Sequence, residues 1–433
     1  MQSPPSYRFG LWTLVALVVG NAIGAGIYTT SGFSLASLGS REFVILAWIV
    51  GGLVALCGAL SYGMLASSMR ESGGEYLYLH RAIHPLAGFI AGWISLLAGF
   101  PGAIAFAATA LEAYVRAAGQ WASDLPEDFL AVAVVVAAGV LHMVRVKAGA
   151  KTHEWIVALM LGALALIVLW SGLVFIQDPV LPVTADVGVK SFSLFAFANS
   201  LVWISLSYSG FNAAAYVTGE VHNPGRNVPR GMVIGTGITL ILCVVINSIM
   251  LYSTEISALS GQPQVAAVAA EALGGEPARR VIEIVIALSL LTSITAMSLA
   301  GPRVYAKMAE DGALPSLFQA QQDQAPRASI ALQVMISVML ILLADLRELL
   351  SYLGMTLSLC LALAVSSLFV TAWREGTRPA SPWYPLAPMI FVFCTVTFAI
   401  LSAVHDVRQF IAVVPTILIG CIAYIVSRHF SKD

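Results

Sequence analysis

The sequence predicts an all-α membrane protein with twelve transmembrane helices. Of the 433 residues, 59% are hydrophobic and only 10% are charged, whereas soluble domains carry about 25% charged residues. The mean hydropathy is +0.87, and apolar stretches of the roughly 20 residues that a helix needs to cross a bilayer recur from end to end. We therefore expect residues 1-433 to form a single integral membrane domain.

Twelve charge-poor stretches supply the predicted spans. The fourth and the ninth are the shortest, and the first and the sixth contain interruptions that are described below. In chain order the stretches cover residues 11–38, 43–69, 83–115, 129–144, 155–176, 192–219, 231–254, 284–302, 328–344, 349–373, 383–404 and 409–427.

Lysine and arginine lie mostly on one side of the predicted membrane. When the loops alternate from a cytoplasmic N-terminus, the inside loops and both tails hold most of the 22 lysines and arginines, and the outside set holds most of the 23 acids. Positively charged loops stay in the cytoplasm, so both termini are expected there, in a plasma or inner membrane. The first stretch is too long for a signal peptide and lacks a small-residue cleavage site, so it is expected to remain as a span.

Two segments between the spans are predicted to lie at membrane surfaces. Residues 70–80 are amphipathic and are expected at the cytoplasmic surface. The outside connection contains a predicted short helix over residues 265–273, which would act as a lid. Neither segment is large enough to form a soluble domain.

Glycines interrupt the first span at residues 20–27, GNAIGAGI, hereafter the first break. A glycine costs a helix about 1 kcal/mol relative to alanine, and unwound backbone is tolerated in a bilayer only where protein buries it or it lines a cavity. The N–H groups of Ala25, Gly26 and Ile27 would start a half-helix whose dipole favours a carboxylate. Carbonyls near Ile23 would suit a cation. Close helix packing through small residues is the alternative interpretation.

A second interruption occurs in the sixth span at residues 208–212, YSGFN, hereafter the second break. The rings of Tyr208 and Phe211 could cap a ligand, and Asn212 could bond it, although such rings often face only lipid or other helices. Two interrupted spans at matching places in two halves of a chain indicate a transporter substrate site and an inverted repeat. The two predicted five-helix repeats are 11-176 and 192-373, and helices eleven and twelve follow at 383-427.

Hydroxyl groups in the eighth span predict a candidate sodium site beside the first break. Serine and threonine often bond their own helix backbone instead. The candidate ion ligands are Gly20, Ile23, Ser293 and Thr295. We expect no other metal and no cofactor, and coupling to Na+ or H+ is left open. The broken helices carry no paired carboxylates and no nucleophile with a base, so an enzyme is not expected. The sequence has no exposed run of basic residues, so nucleic-acid binding is not expected.

Four motifs resemble those of the amino acid–polyamine–organocation (APC) transporters. They are GAGI at 24–27, GGEY at 73–76, GEVHNPGRNVPR at 219–230 and RVYAKMAEDGALP at 303–315. The resemblance implies a LeuT-like fold with a 5+5 inverted repeat. It also implies that the protein transports amino acids by alternating access. The second break looks most like the L-type amino acid transporter branch.

The resemblance also implies roles for individual residues. Ala25, Gly26 and Ile27 would hold the substrate carboxylate, while Ile23 and the backbone near Leu206 would receive the amino group. Some L-type members carry a gating aromatic at the position of Leu206. The residues expected to contact substrate are Ile23, Gly24, Ala25, Gly26, Ile27, Leu206, Tyr208, Ser209, Gly210, Phe211 and Asn212.

The sequence departs from the family at one coupling position. Some members have a lysine in the fifth span that takes the place of a sodium ion, and the aligned residue here is Met160. Proton coupling through that lysine is therefore not expected, and sodium near Ser293 or ion-independent exchange stays open. All five cysteines fall in apolar stretches, so we expect no disulfide-linked accessory subunit.

Together these features predict a secondary carrier for amino acids, working as an exchanger or an ion-coupled symporter. Neutral substrates are expected because a buried charged side chain would want a countercharge, and the mapped segments provide none. A cationic amino acid or polyamine exchanger is the alternative, since carbonyls and aromatic faces can also hold cations. A non-transporting amino acid sensor is the alternative of another class. The particular amino acid, the direction of transport and the oligomeric state stay open.

Overall fold

The computed structural model describes residues 9–69, 73–118, 124–144, 162, 170, 191–319 and 326–430. Within these ranges the chain is helical and forms no β-strand. The helices are α1 (Leu11–Ala22), α2 (Ala25–Leu38), α3 (Arg41–Ser68), α4 (Gly74–Ala82), α5 (Pro85–Ile94), α6 (Phe100–Ala118), α7 (Phe129–Val144), α8 (Leu194–Tyr208), α9 (Pro224–Tyr252), α10 (Ile256–Leu259), α11 (Val265–Glu310), α12 (Arg327–Leu343), α13 (Leu346–Glu375), α14 (Leu386–His405) and α15 (Val407–Phe430).

Among the described residues, seven helical segments are long and apolar enough to cross a membrane, and the pair α1 and α2 brings the number to eight if it forms one span. Three shorter apolar helices coincide with the predicted fourth, ninth and twelfth spans. The predicted fifth span, with Met160, lies outside the described residues apart from positions 162 and 170. The chain is therefore an all-helical, multi-pass membrane protein, while the total of twelve spans and the LeuT-like repeat stay predictions.

The first span is broken where the sequence predicts. α1 ends at Ala22, and α2 begins at Ala25 at an angle of 41° to it. Between them Gly24 is extended, with φ −132° and ψ −159°, and Ile23 has ψ 85°. Neither residue has helical dihedral angles, so the backbone is open at a point that the surrounding helices bury.

The sixth span changes helix type instead of unwinding, which corrects the predicted form of the second break. α8 ends at Tyr208, and a 3-10 helix continues over Ser209–Glu220, hereafter the 3-10 segment. Such helices seldom exceed four residues. Bonds from each N–H to the third preceding carbonyl keep the backbone paired, which an unwound segment inside a membrane would not achieve.

Local sequence signals explain where several helices begin. Ser40 caps α3 by accepting a hydrogen bond from the Phe43 N–H at 3.3 Å. Asp345 and Glu348 form a reciprocal capping box at the start of α13, which satisfies two otherwise unpaired N–H groups. Pro85 occupies the first turn of α5, where its missing N–H costs nothing.

A short helix precedes the eighth span, as predicted, because α11 bends at Gly274 and Gly275. The start of α11 and the loop before it pack on α2. The Gly261 N–H of the loop donates to the Gly32 carbonyl at 2.8 Å, and a Cβ atom at Gly32 would lie 2.7 Å from Cγ2 of Val265, the first residue of α11. This outer segment is therefore seated directly over the half-helix that follows the first break. Its action as a lid stays a prediction.

The two interrupted spans lie side by side in the core. α8 packs against α2 and α3, and the 3-10 segment packs against α1. Around them lie large aromatic side chains with almost no exposed surface, Trp48, Tyr62, Trp203 and Tyr208. These contacts bring the first break and the second break together.

Candidate functional site

The two breaks touch each other through glycines. A Cβ atom at Gly210 would lie 2.5 Å from Ala22 N and 2.7 Å from Asn21 C, both backbone atoms. A Cβ atom at Gly26 would lie 3.2 Å from Ser207 Cβ and 3.3 Å from Ser207 Cα. The end of α8 therefore fits into the notch between α1 and α2, and only glycine allows this approach.

The first break offers unpaired backbone donors. Ala25 and Gly26 stand in the first turn of α2, where an N–H has no intrahelical acceptor. The Ile27 N–H already donates to the Gly24 carbonyl at 3.3 Å. The anion-binding geometry predicted from the sequence is thus concentrated on Ala25 and Gly26, at the positive end of the α2 dipole.

Gly24 faces α11, on the side of the predicted ion site. Ser293 Oγ lies 3.8 Å from where a Cβ atom of Gly24 would be, and among the described residues no other atom beyond the glycine's chain neighbours is within 4 Å of that point. The structure thus places Ser293 beside the first break. Thr295 instead donates to the Thr292 carbonyl of its own helix at 2.9 Å, the arrangement that competes with ion binding.

The predicted aromatic residues of the second break point towards α3 and α14 in this conformation. The Tyr208 hydroxyl donates to the Trp48 carbonyl at 3.0 Å. The Phe211 ring packs edge-on against Tyr62 and Phe391, with centroid separations of 5.4 and 5.9 Å. Both rings therefore stabilise the packing of the 3-10 segment, and their contact with substrate stays a prediction.

The Leu206 carbonyl, near which the substrate amino group is expected, already accepts two hydrogen bonds within the protein. Leu206 O accepts from the Ser209 N–H and, at 2.7 Å, from the Ser209 hydroxyl. A carbonyl oxygen has two lone pairs, so both are occupied in this conformation. A substrate ammonium at Leu206 would have to displace the Ser209 hydroxyl.

Ser207 is a candidate site residue that the sequence motifs did not predict. Its side chain is buried and faces Gly26, and its hydroxyl has no hydrogen-bond partner among the residues that the structure describes. Buried polar groups are usually paired, so a free hydroxyl beside two free N–H groups suits a polar ligand. The position between Leu206 and Tyr208 gave no sequence signal beyond its proximity to the second break.

A pocket lies against a different face of α8. It is a small, partly open space of ≈ 40 Å³. Its polar groups include Ser205 and Ser358, whose hydroxyls are 2.7 Å apart. The remaining lining comes mainly from apolar and aromatic side chains of α3, α8, α13 and α14. Tyr208 and Phe211 of the second break also line this pocket, whereas Gly26, Ser207 and Gly210 do not. The pocket therefore adjoins the second break without including the contact between the two breaks.

Comparison with known proteins covers the same region. The amino acid permease family matches residues 9–425. The b(0,+)-type amino acid transporter 1 of Mus musculus is 26% identical over 436 residues, covering 97% of this chain and 88% of that protein. The cystine/glutamate transporter of Homo sapiens is 26% identical over 404 residues, covering 90% and 79%. The large neutral amino acids transporter small subunit 2 of Mus musculus is 25% identical over 407 residues, covering 91% and 76%. Both breaks lie within the matched residues.

Proposed function

The chain belongs to the amino acid permease family, and we propose that it is a secondary carrier that moves amino acids across a cell membrane by alternating access. The family and the relatives are transporters of amino acids, which confirms the APC resemblance and means that the chain is not an enzyme. The proposed orientation keeps both termini in the cytoplasm, as the charge distribution predicts.

One observation carries the proposal: two interrupted spans meet at glycines, with unpaired polar groups around the meeting point. Gly26 and Gly210 permit the approach. The N–H groups of Ala25 and Gly26 would hold the substrate carboxylate, and the Ser207 hydroxyl would add a hydrogen bond. Interrupted helices with this arrangement are typical of substrate sites in secondary transporters.

Neutral amino acids are the proposed substrate class. Among the described residues, the nearest atoms to Gly24, Gly26 and Gly210 come from Ser293, Ser207 and the α1 backbone, and none belongs to a charged side chain. A charged substrate side chain buried here would lack a partner. The relatives include transporters named for large neutral amino acids and for cystine and glutamate, so competition assays must include acidic and basic amino acids.

The test is uptake of labelled neutral amino acids into proteoliposomes, comparing empty vesicles with vesicles preloaded with unlabelled amino acids. Saturable uptake that requires preloading is the expected result for an exchanger. Equal uptake into empty vesicles supports uniport or symport, and Ser293→Ala would then remove any sodium dependence. Tight binding without flux under either condition would contradict transport and support a sensor. Preference for arginine or polyamines would contradict the neutral class.

A further inference from the structure

A buried glutamate lies at the inner end of the second break. Glu75 is only 4% exposed. Its Oε1 accepts from the Tyr62 hydroxyl at 2.9 Å and from the Asn212 amide at 2.7 Å. Its Oε2 accepts from the Tyr216 hydroxyl at 2.5 Å. This carboxyl group therefore joins three separate elements: α4, α3 and the 3-10 segment.

The partners of Glu75 are all neutral. Across the residues that the structure describes, no lysine, arginine or histidine is paired with this carboxylate. Burial of a carboxylate is costly unless hydrogen bonds compensate for the lost water. Here three donors do so, and hydrogen bonds to a charged acceptor are about twice as strong as neutral ones. Any movement that separates these elements must break strong bonds.

The positions of the hydrogen-bond donors show which elements would separate if the bonds to Glu75 broke. Asn212 and Tyr216 are four residues apart in the 3-10 segment, shortly after Gly210, which touches α1. α4 is also held to other elements: the Tyr76 hydroxyl donates to Asp311 at 3.1 Å, and Arg374 donates to the Ala82 carbonyl at 3.0 Å. α4 thus bridges the inner ends of several helices, and Glu75 is its connection to the second break.

We infer that Glu75 is a latch residue that holds the 3-10 segment against α3 and α4 and thereby keeps the inner path to the candidate substrate site closed. The inference rests on the proposed alternating-access function for its biological meaning. The latch itself is a property of the folded protein, so it can be tested without measuring transport. Release of the three bonds would allow the part of the sixth span that follows Gly210 in the chain to move away from α3 and α4.

A native cysteine next to the latch provides the probe. Cys360 on α13 is buried, and α13 packs against α4, which carries Glu75. Cys243 on α9 has no exposed surface, and its carbonyl accepts from Asn247, whose side chain also bonds Ser31 of α2. The experiment measures the rate of maleimide labelling of each cysteine alone, with the other four replaced by serine, in purified protein in nanodiscs that expose both faces.

Glu75→Gln, which keeps the shape of the side chain but removes its charge, is expected to speed Cys360 labelling by about tenfold, the factor supplied by one hydrogen bond to a charged group. Tyr216→Phe is the milder variant and should act in the same direction. In the double variant, Cys360 should be labelled faster than in either single variant. The acceleration should nevertheless be smaller than the product of the two single accelerations, because both substitutions break the same cluster. Cys243 labelling should not change.

Unchanged Cys360 labelling in both single variants would overturn the latch. Equal acceleration at Cys360 and Cys243 would also overturn it, since that pattern reports general loosening of the fold. If labelling changes as expected but proteoliposomes show no amino acid flux, the latch stands and the transport proposal fails.

Discussion

Replacing Gly210 with alanine is expected to abolish amino acid transport. The added Cβ atom would lie 2.5 Å from Ala22 N and 2.7 Å from Asn21 C. These are backbone atoms, so no side chain can rotate away to make room. The end of α8 must move out of the notch, which separates the two breaks. Overpacking of this kind costs about 1–3 kcal/mol of stability, and we expect transport to fall by more than tenfold.

Gly237 provides the matched control for this substitution. It lies in α9, another apolar helix, and a Cβ atom there would meet no atom of the described part of the chain within 4 Å. Gly237→Ala should keep full transport and raise stability by about 1 kcal/mol, because alanine favours a helix. Uptake and thermal unfolding of both variants are measured together. Normal uptake by Gly210→Ala would show that the breaks need not touch.

The second large loss of transport is expected for Gly26→Ala, and Ser207→Gly should partly restore what that substitution loses. In Gly26→Ala the new methyl group meets the side chain of Ser207, whose Cβ would be 3.2 Å away. We expect transport to fall by about tenfold or more, since α2 must shift from α8. Ser207→Gly removes the obstructing side chain, so the double variant should regain the packing and the stability that Gly26→Ala loses.

Substrate affinity separates packing from binding in this pair. The double variant regains space but lacks the Ser207 hydroxyl, so its apparent affinity should stay about tenfold weaker than that of the unmodified protein, the value of roughly one hydrogen bond. The comparison is between Gly26→Ala, Ser207→Gly and the pair, by thermal unfolding and concentration-dependent uptake. Additive losses in stability, with no recovery in the pair, would contradict the contact between these residues.

The sequence predicted the first break well because its signal is local. Glycines at residues 20–27 lower the cost of leaving the helix, and the structure opens the backbone at Ile23 and Gly24. The same reasoning located the second break at Tyr208 but missed its form. A single glycine, Gly210, does not unwind the chain; it permits a close contact with α1 that depends on tertiary packing.

Contacts between distant segments explain what the sequence did not reveal. Glu75 stands in a segment that reads as a surface helix, yet α3 and the 3-10 segment bury it through donors that are distant in sequence. Ser207 became a candidate only because its side chain lies against Gly26, which belongs to another span. Conversely, Tyr208 and Phe211 were expected to face a ligand, and the structure packs them against α3 and α14 because their rings fill the space between helices.

The most direct measurement is a structure determined in lipid nanodiscs with a saturating neutral amino acid that the uptake assay identifies as a substrate. The expected result is ligand density between the first break and the second break. The carboxylate should lie about 3 Å from the Ala25 and Gly26 N–H groups, with the Ser207 hydroxyl in contact. Density confined to the pocket that Ser205, Ser358, Tyr208 and Phe211 line, with none at Ala25, Gly26 and Ser207, would contradict the substrate site between the two breaks.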